Sequence, residues 1–359
     1  LMNPDAIPSP KHKKGANPLW GALLVNQEKG AEVLKNYPNG PLFKTLDDLV
    51  NPSYDVFEPL AQENTPRLLY TIHNEKFKVN ILRLPSPTRQ MMINKAESSV
   101  LFEVFIIALR QLKNSQNFLL INMQDRTSWQ EHARCHTLEN LPNHPHMIEG
   151  FEVCSLTKHT PFYHQVEEYH DLSSAKEFMS LLQDQILNAA ECGLYFPPNL
   201  GAVYIQDFVK NCAGLIHEHF FGKKGILSRK NRLDFIELLY FFLTLKMIDR
   251  ISPTQMSFSC KDAIDTGAIA SAGFFAFIKL MSEDSVWSLE EEDFFVWMAQ
   301  SSALMYRERL VRFEQYERML SVLELLDSEL SLHKKTILKA FEPLYGYAIF
   351  KHLYAQELK

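Results

Sequence analysis

Near residue 260 a short apolar run passes through a tight polar turn into a long apolar run. The first run, TQMSFS at 254–259, has the composition of a strand, and the second, at 267–281, has the length and apolar content of a buried helix. A strand that leads into a helix through so short a turn places backbone N–H groups at the positive end of the helix dipole. The segment therefore predicts an α/β unit with an anion-binding turn at Cys260.

Segments with strand and helix patterns alternate before this turn. The predicted strands cover 67–73, 76–85, 117–123, 150–156 and 254–259, and the first two form a hairpin across Asn74 and Glu75. The predicted helices cover 94–113, 173–192, 201–221, 231–249, 267–281, 289–328 with a break, and 331–357. Ser128 and Glu131 form a capping-box pattern that predicts a further helix start. We therefore expect an α/β fold with a central sheet, flanking helices and a largely helical C-terminal half.

The chain divides by composition into a leading segment and one large domain. Residues 1–64 carry many prolines and asparagines and predict an irregular N-terminal wrap, and residues 65–359 predict one α/β domain. The first residues lack the pattern of a secretory signal. The apolar run at 235–245 is well short of the roughly 20 residues that span a bilayer. We expect a cytoplasmic protein without a transmembrane segment.

Charge and cysteine usage exclude several classes of protein. A formal net charge of -6 argues against a broad nucleic-acid-binding surface. The five cysteines are scattered without a C-x-x-C pair, which predicts a reducing compartment and neither a disulfide framework nor a cysteine-rich zinc module. His132 and His136 in EHARCH are metal-capable types at a permissive spacing, but an exposed polar helix explains them better than a zinc site. We expect no metal and no cofactor.

The turn after the predicted strand reads CKDAIDTG, residues 260–267. A cysteine at a helix N-terminus has its pKa lowered, and such a thiolate is a nucleophile. The stretch 257–268 resembles the C-x-D-x-x-D-R-T loop of Sac-domain and myotubularin phosphoinositide phosphatases, which belong to the C-x5-R superfamily. It resembles less closely the C-K-S-G-K-D-R-T loop of bacterial effector inositol phosphatases.

This resemblance implies a protein-tyrosine-phosphatase-like layered fold and a phosphoinositide or inositol-phosphate phosphatase that works through a phosphocysteine on Cys260. It implies that Asp265 is the general acid and base, and that Asp262 is an alternative acid or a residue that orients the loop. Lys261 matches a basic position that meets a neighbouring phosphate on the inositol ring. The remaining phosphate-binding positions are Ala263, Ile264, Thr266 and Gly267.

The sequence departs from the family pattern at the loop arginine, where Thr266 stands. A guanidinium grips two phosphate oxygens, whereas a hydroxyl offers one neutral donor. By analogy with an oxyanion-hole donor, the loss costs roughly 3 to 4 kcal/mol in the transition state. The loop therefore belongs to a pseudophosphatase that still binds phosphoinositide, to an enzyme whose arginine comes from elsewhere, or to an arginine-to-threonine trapping variant. The alternative donors are Arg307, Arg309 and Arg312, for which a solvated helix surface is the simpler explanation.

Two other functional classes remain open for the same residues. In the first, Cys260 pairs with a histidine such as His164 or His217 in a protease, deamidase or acyltransferase. In the second, the chain is a catalytically dead module that binds an anionic lipid headgroup or a protein. For Cys260 alone, a buried structural thiol is the simpler explanation.

Two further segments carry candidate functional residues. The basic segment that runs to Arg232 predicts either contacts with an anionic headgroup at the membrane surface or a solvated loop. The candidate headgroup contacts are Lys223, Lys224, Arg229, Lys230 and Arg307. Asp171 is either a distant general acid or the N-cap of the helix that follows it. The resemblance to effector phosphatases also suggests translocation into a host cell.

Overall fold

The computed structural model describes residues 17–34, 66–111, 117–145, 147, 150–283 and 286–357. Within these ranges the chain is a mixed α/β protein with a seven-stranded sheet and a separate two-stranded hairpin. The strands are β1 (Arg67–His73), β2 (Lys78–Arg83), β3 (Thr88–Met92), β4 (Lys95–Ser98), β5 (Phe118–Asn122), β6 (Phe151–Leu156), β7 (Leu194–Tyr195), β8 (Gln255–Ser259) and β9 (Tyr354–Glu357). The helices are α1 (Leu19–Leu34), α2 (Val100–Gln111), α3 (His132–Asn140), α4 (Pro161–His164), α5 (Ala175–Leu187), α6 (Ala202–His219), α7 (Arg229–Ile251), α8 (Thr266–Met281), α9 (Leu289–Arg307) and α10 (Phe313–Phe341).

The large sheet has the strand order β7-β6-β5-β8-β2-β1-β9, so β8 is its middle strand. Strands β6, β5, β8 and β2 run parallel, and β7, β1 and β9 are added in antiparallel pairing. The carboxyl ends of the four parallel strands consequently meet at one edge of the sheet. In open α/β sheets this edge is where ligands bind.

Helices cover both faces of the sheet. Because side chains alternate along a strand, Leu82 of β2 faces a smaller core with Phe102 of α2, whereas Ile81 faces the larger core. The larger core also contains Phe258 of β8 and Phe274 of α8. The helices from α5 onward pack on that side, and they make the C-terminal half of the chain mostly helical, as expected from the sequence.

Most predicted elements are confirmed, but the helix predicted at 94–113 is wrong over its first turns. The structure has a β3–β4 hairpin there, and α2 begins at Val100. The helix predicted at 331–357 is confirmed as far as Phe341 and is wrong beyond it. α10 ends at Phe341, and the chain ends in β9, which pairs with β1 on the edge of the sheet.

Both sequence-based capping assignments are wrong. α3 begins only at His132, because the Glu131 carboxylate accepts a hydrogen bond from the Asp125 backbone N–H at 2.7 Å instead of capping the helix. α5 is capped by Ser174, and the Asp171 side chain is exposed beside His170. The general-acid assignment for Asp171 stays a prediction that the structure does not strengthen.

The N-terminal segment is helical where the structure describes it. Leu19–Leu34 forms α1, which packs on α10 and buries Trp20, so the predicted irregular wrap is wrong for these residues. The rest of the predicted wrap, apart from Asn17 and Pro18, lies outside the described residues. Across the described ranges, each helix is either too short or too polar to cross a bilayer.

Candidate functional site

Cys260 follows the middle strand of the sheet at the edge where the parallel strands end. Its carbonyl oxygen accepts a hydrogen bond from the Ser86 backbone N–H at 3.0 Å, just after β2. On the other side of β8, Met123 N–H donates to the Ser259 carbonyl at 2.8 Å. The segments that follow β2 and β5 therefore fix the start of the loop, and Cys260 is left buried at 5% exposure.

The loop folds back so that its own backbone surrounds the sulfur. The backbone N–H groups of Gly267 and Ala263 lie near Cys260 Sγ and act to lower its pKa. Ala263 is fully buried and has a φ of 54°, in the left-handed region that costs a residue with a Cβ about 1 to 2 kcal/mol. Such backbone strain persists only where the surroundings impose it, and it is concentrated at functional sites.

Gly267 allows α8 to begin against the end of β8. A Cβ at this position would lie 2.9 Å from the Phe258 carbonyl oxygen and 3.5 Å from Cys260 Sγ. The first contact is with backbone and cannot be relieved by a side-chain rotation. The short turn between strand and helix that the sequence predicts therefore requires glycine here.

The Cys260 thiol is not activated in this arrangement. Burial and the negative charge of Asp262 raise its pKa to about 12, against the opposing effect of the two backbone N–H donors. The sequence-based expectation of a thiolate at the helix N-terminus is therefore wrong for the loop as it stands, because desolvation outweighs the helix dipole.

Asp262 holds the shape of the loop. Its Oδ1 accepts a hydrogen bond from the Ile264 backbone N–H at 3.3 Å, and its Oδ2 lies 3.2 Å from Arg307 Nη2 at the end of α9. Of the two roles implied for Asp262, this geometry corresponds to the loop-orienting one.

Asp265 forms a two-point ion pair with Arg309, at 2.8 Å and 2.7 Å. The Arg312 backbone N–H also donates to this carboxylate, at 3.1 Å. Burial acts to raise the pKa of Asp265, but the hydrogen bonds and charge of Arg309, together with Arg312, outweigh it and lower the pKa. A carboxyl group held in its ionised form cannot donate a proton to a leaving group.

The arginine position of the family loop is occupied by a buried hydroxyl. Thr266 is 6% exposed, and its Oγ1 accepts a hydrogen bond from Gln315 Nε2 of α10 at 3.1 Å. Arginines do reach the loop, but they come from the end of α9 and the segment after it, and they bind the two aspartates. The interpretation of Arg307 and Arg309 as solvated helix charges is therefore wrong.

Four basic side chains lie around the Cys260 loop, and we call them the basic ring: Arg83, Arg134, Lys261 and Arg307. Burial lowers the pKa of both Arg83 and Arg134, and a thiolate at Cys260 would oppose this shift in each. Burial and the nearby charge of Arg134 lower the pKa of Lys261. The loop thus lies in a locally positive environment within an acidic chain.

Two members of the basic ring, Arg83 and Arg134, were not predicted as site residues from the sequence. Arg83 ends β2 and packs on the Tyr306 ring at 5.3 Å, and Arg134 of α3 donates to Gln124 Oε1 at 2.6 Å. Arg134 lies inside the EHARCH motif, between the histidines considered as metal ligands. Arg134 could have been identified as a functional candidate because it lies on the buried side of a helix, where an unpaired charge is costly.

The predicted headgroup residues other than Arg307 contact elements away from the Cys260 loop. Lys223 lies 2.9 Å from Glu218 of α6, and Arg229 donates to the carbonyl of His164. Lys230 donates to Ser321 of α10, and Lys224 is exposed in the same turn as Lys223. The next basic residue, Arg232, is buried against the carbonyls of Tyr169 and His170, so it belongs to the core.

The histidines considered as partners of Cys260 have other contacts. His217 Nε2 lies 2.8 Å from the Lys224 carbonyl oxygen, and His164 lines a separate cavity beside α8. The polar groups that act to lower the pKa of Cys260 are the backbone N–H groups of Gly267 and Ala263. His132 Nδ1 lies 2.7 Å from the Arg126 carbonyl oxygen. In the part of the chain that the structure describes, no group of three or more histidine, cysteine, aspartate or glutamate side chains is arranged to bind a metal ion.

No family model, curated protein or solved structure matches this chain.

Proposed function

We propose that this chain is a pseudophosphatase, which binds an inositol phosphate or a phosphoinositide headgroup at the Cys260 loop without hydrolysing it. The observation that carries the proposal is the position of Cys260. It lies between β8, the middle strand of the sheet, and the start of α8; the backbone N–H groups of Gly267 and Ala263 lie near its sulfur, and the basic ring lies close enough for its charges to act on the loop.

Anion binding is supported by the kind of donors that the loop presents. Backbone N–H groups at the start of a helix and arginine side chains are the two commonest phosphate-binding elements in proteins. Lys261 is exposed on the loop, and Arg307 lies beside it on Asp262. Several basic groups around one loop suit a ligand with more than one phosphate, such as a substituted inositol.

The lack of turnover is supported by the protonation states. Cysteine phosphatase chemistry needs a thiolate nucleophile, a protonated acid and a guanidinium on the equatorial oxygens. Here burial keeps the Cys260 pKa high, Arg309 keeps the Asp265 pKa low, and Thr266 replaces the arginine. All three requirements are reversed or missing.

The architecture is compatible with a protein-tyrosine-phosphatase-like layered fold, which we propose as the scaffold. Helices α2 and α3 cover one face of the sheet, and a larger set of helices covers the other. The loop leaves the middle strand and enters a buried helix. This is the arrangement that the resemblance of residues 257–268 implies.

An active phosphatase is the second candidate, and the position of Arg307 favours it. Its guanidinium lies 3.2 Å from Asp262, two residues from the nucleophile position. A phosphate that displaced Asp262 from this pair would gain a guanidinium from outside the loop. Phosphate release that depends on both Cys260 and Arg307 would establish this candidate.

Isothermal titration of the chain with myo-inositol trisphosphate tests binding. We expect binding that survives Cys260→Ser, because the backbone donors remain. We expect it to weaken about tenfold or more in Lys261→Met, since a charge-assisted hydrogen bond contributes roughly 1.5 to 3 kcal/mol. Lys210→Met, which removes an exposed lysine of α6, is the matched control.

A second titration distinguishes binding of a phosphoinositide lipid from binding of a free inositol phosphate. Phosphatidylcholine vesicles with and without phosphatidylinositol bisphosphate are compared with the free trisphosphate. Binding to the vesicles alone, lost when Lys223, Lys224 and Lys230 are replaced but unchanged in Lys261→Met, would move the binding site to the basic segment. Equal titrations of the wild type and Lys261→Met with the trisphosphate would contradict the proposed loop site.

A further inference from the structure

A second candidate ligand site lies beside the start of α8, and it does not depend on the function proposed for Cys260. A cavity of about 320 Å³ opens between α4, α7, α8 and α10, and we call it the Glu237 cavity. This volume is at the small end of the range for ligand pockets. Its polar wall includes Lys158, Tyr163, Glu237, Thr266 and Arg318.

The polar wall is a buried network around one carboxylate. Glu237 is 3% exposed in the middle of α7, and Tyr163 donates a hydrogen bond to its Oε1. Lys158 Nζ lies 2.7 Å from Oε2, and Arg318 Nε lies 3.1 Å from Oε1. The Arg318 guanidinium also stacks over the Tyr163 ring at 3.6 Å.

This network holds more positive charge than negative charge. Burial acts to raise the pKa of Glu237, but Lys158 and Arg318 outweigh it and lower the pKa, so the carboxylate is ionised. Two cations therefore face one anion in the buried network. At the rim Arg312 lies 3.6 Å from Asp265, and Glu314 is exposed to solvent. Burial and Arg318 lower the pKa of His164, which keeps that lining residue neutral.

The opposite wall is apolar. Phe241 of α7, Ile269 and Ala270 of α8, and Met319 of α10 line it. An uncompensated buried charge is costly, and a ligand that supplies the missing negative charge removes that cost. The apolar wall at the same time favours a hydrocarbon body on that ligand.

We propose that the Glu237 cavity binds a small organic monocarboxylate with an apolar body. One negative charge balances the excess of one positive charge. A phosphate monoester carries about -1.5 to -2 at neutral pH and would reverse the excess, so the charge balance favours the carboxylate. The carboxylate lies against Lys158 and Arg318, and the hydrocarbon lies against Phe241 and Met319.

The experiment titrates the full chain with hexanoate, phenylacetate and their neutral amides, followed by ligand-observed NMR and isothermal titration. We expect at least one carboxylate to bind, at least tenfold more tightly than its amide. Lys158→Met leaves a balanced pair of Glu237 and Arg318, so the preference for carboxylate over amide should fall to less than threefold. Lys210→Met is the charge control and should leave the preference unchanged.

A variant that fills the Glu237 cavity tests the proposal even if Lys158→Met fails to fold. Ala270→Leu keeps every charge and occupies the apolar wall, so it should abolish binding of both carboxylate and amide. Lys261→Met, which should weaken trisphosphate binding at the Cys260 loop, should bind the carboxylates as the wild type does, and this difference separates the cavity from the loop. Equal binding of carboxylate and amide, no binding of any probe, or binding unaffected by Ala270→Leu would overturn the proposal.

Discussion

Arg309 and Asp265 form a two-point ion pair that ties the Cys260 loop to the connection between α9 and α10, at 2.8 Å and 2.7 Å. The resemblance of this loop to phosphoinositide phosphatases implies a general acid at the position of Asp265. Here the guanidinium holds the carboxylate in its ionised form and makes it a structural anchor. The ion pair therefore contributes to the stability of the loop.

Breaking this pair should destabilise the chain in a pH-dependent way. Asp265 has a lowered pKa in the folded chain, so its contribution is present above the ordinary pKa of an aspartate and is lost as the pH falls through the folded value. Arg309→Leu should cost about 0.5 to 1 kcal/mol near neutral pH, since Arg309 is partly exposed. Urea unfolding should show the difference from wild type shrinking below about pH 4. A difference that grows on acidification would contradict this assignment.

The Cys260 thiol should react slowly with iodoacetamide at neutral pH. Burial and Asp262 raise its pKa to about 12, and it is 5% exposed. The partly exposed Cys192 should be modified first, as peptide mass spectrometry can follow. Asp262→Asn keeps an acceptor for the Ile264 N–H but removes the charge, so it should speed the modification of Cys260 severalfold. Rapid modification of Cys260 with a midpoint near pH 7 would mean that the loop is poised for catalysis.

Gly267→Ala and Gly214→Ala should have opposite effects on stability. Both glycines lie in helices, where alanine is favoured by up to about 1 kcal/mol. A Cβ at Gly214 meets nothing within 4 Å, whereas one at Gly267 meets the Phe258 carbonyl at 2.9 Å. We expect Gly214→Ala to be neutral or stabilising and Gly267→Ala to cost about 1 to 3 kcal/mol. The free energies from urea unfolding give the comparison, and equal effects would argue against the close approach of α8 to β8.

The buried network at Glu237 should respond unequally to loss of its members. Glu237→Gln leaves Lys158 and Arg318 without a buried anion and should cost about 3 to 5 kcal/mol. Lys158→Met leaves one anion with one cation, so its cost should be clearly smaller. Urea unfolding of the two variants tests this order. A larger cost for Lys158→Met would remove the charge excess on which the carboxylate site is based.

The strand, turn and helix around Cys260 were predictable because their signals are local. The apolar runs on either side and Gly267 specify the turn within about two dozen residues. The charged surroundings of Cys260 could not be predicted in the same way. Arg83, Arg134 and Arg309 reach the loop from β2, α3 and the segment after α9, and only the folded chain brings them together.

The wrong predictions of secondary structure also arise from tertiary contacts that the sequence does not reveal. Glu131 has the sequence pattern of a capping residue, but its carboxylate is drawn to Asp125 and His159, which are tertiary partners. β9 is only four residues long and is stabilised by pairing with β1 rather than by its own pattern. Glu237 is a charged residue inside an apolar helix, which is unusual. Its role could not be predicted from the sequence, because its partners Lys158 and Arg318 are distant along the chain.

Phosphorus NMR of myo-inositol trisphosphate mixed with stoichiometric protein tests the central claim most directly, because it reports binding and hydrolysis in one sample. We expect the wild type to shift or broaden the phosphate signals, Lys261→Met to do so less, and no orthophosphate signal to appear after prolonged incubation. Accumulating orthophosphate that disappears in Cys260→Ser would show an active enzyme, and unchanged phosphate signals would show that the Cys260 loop does not bind this ligand.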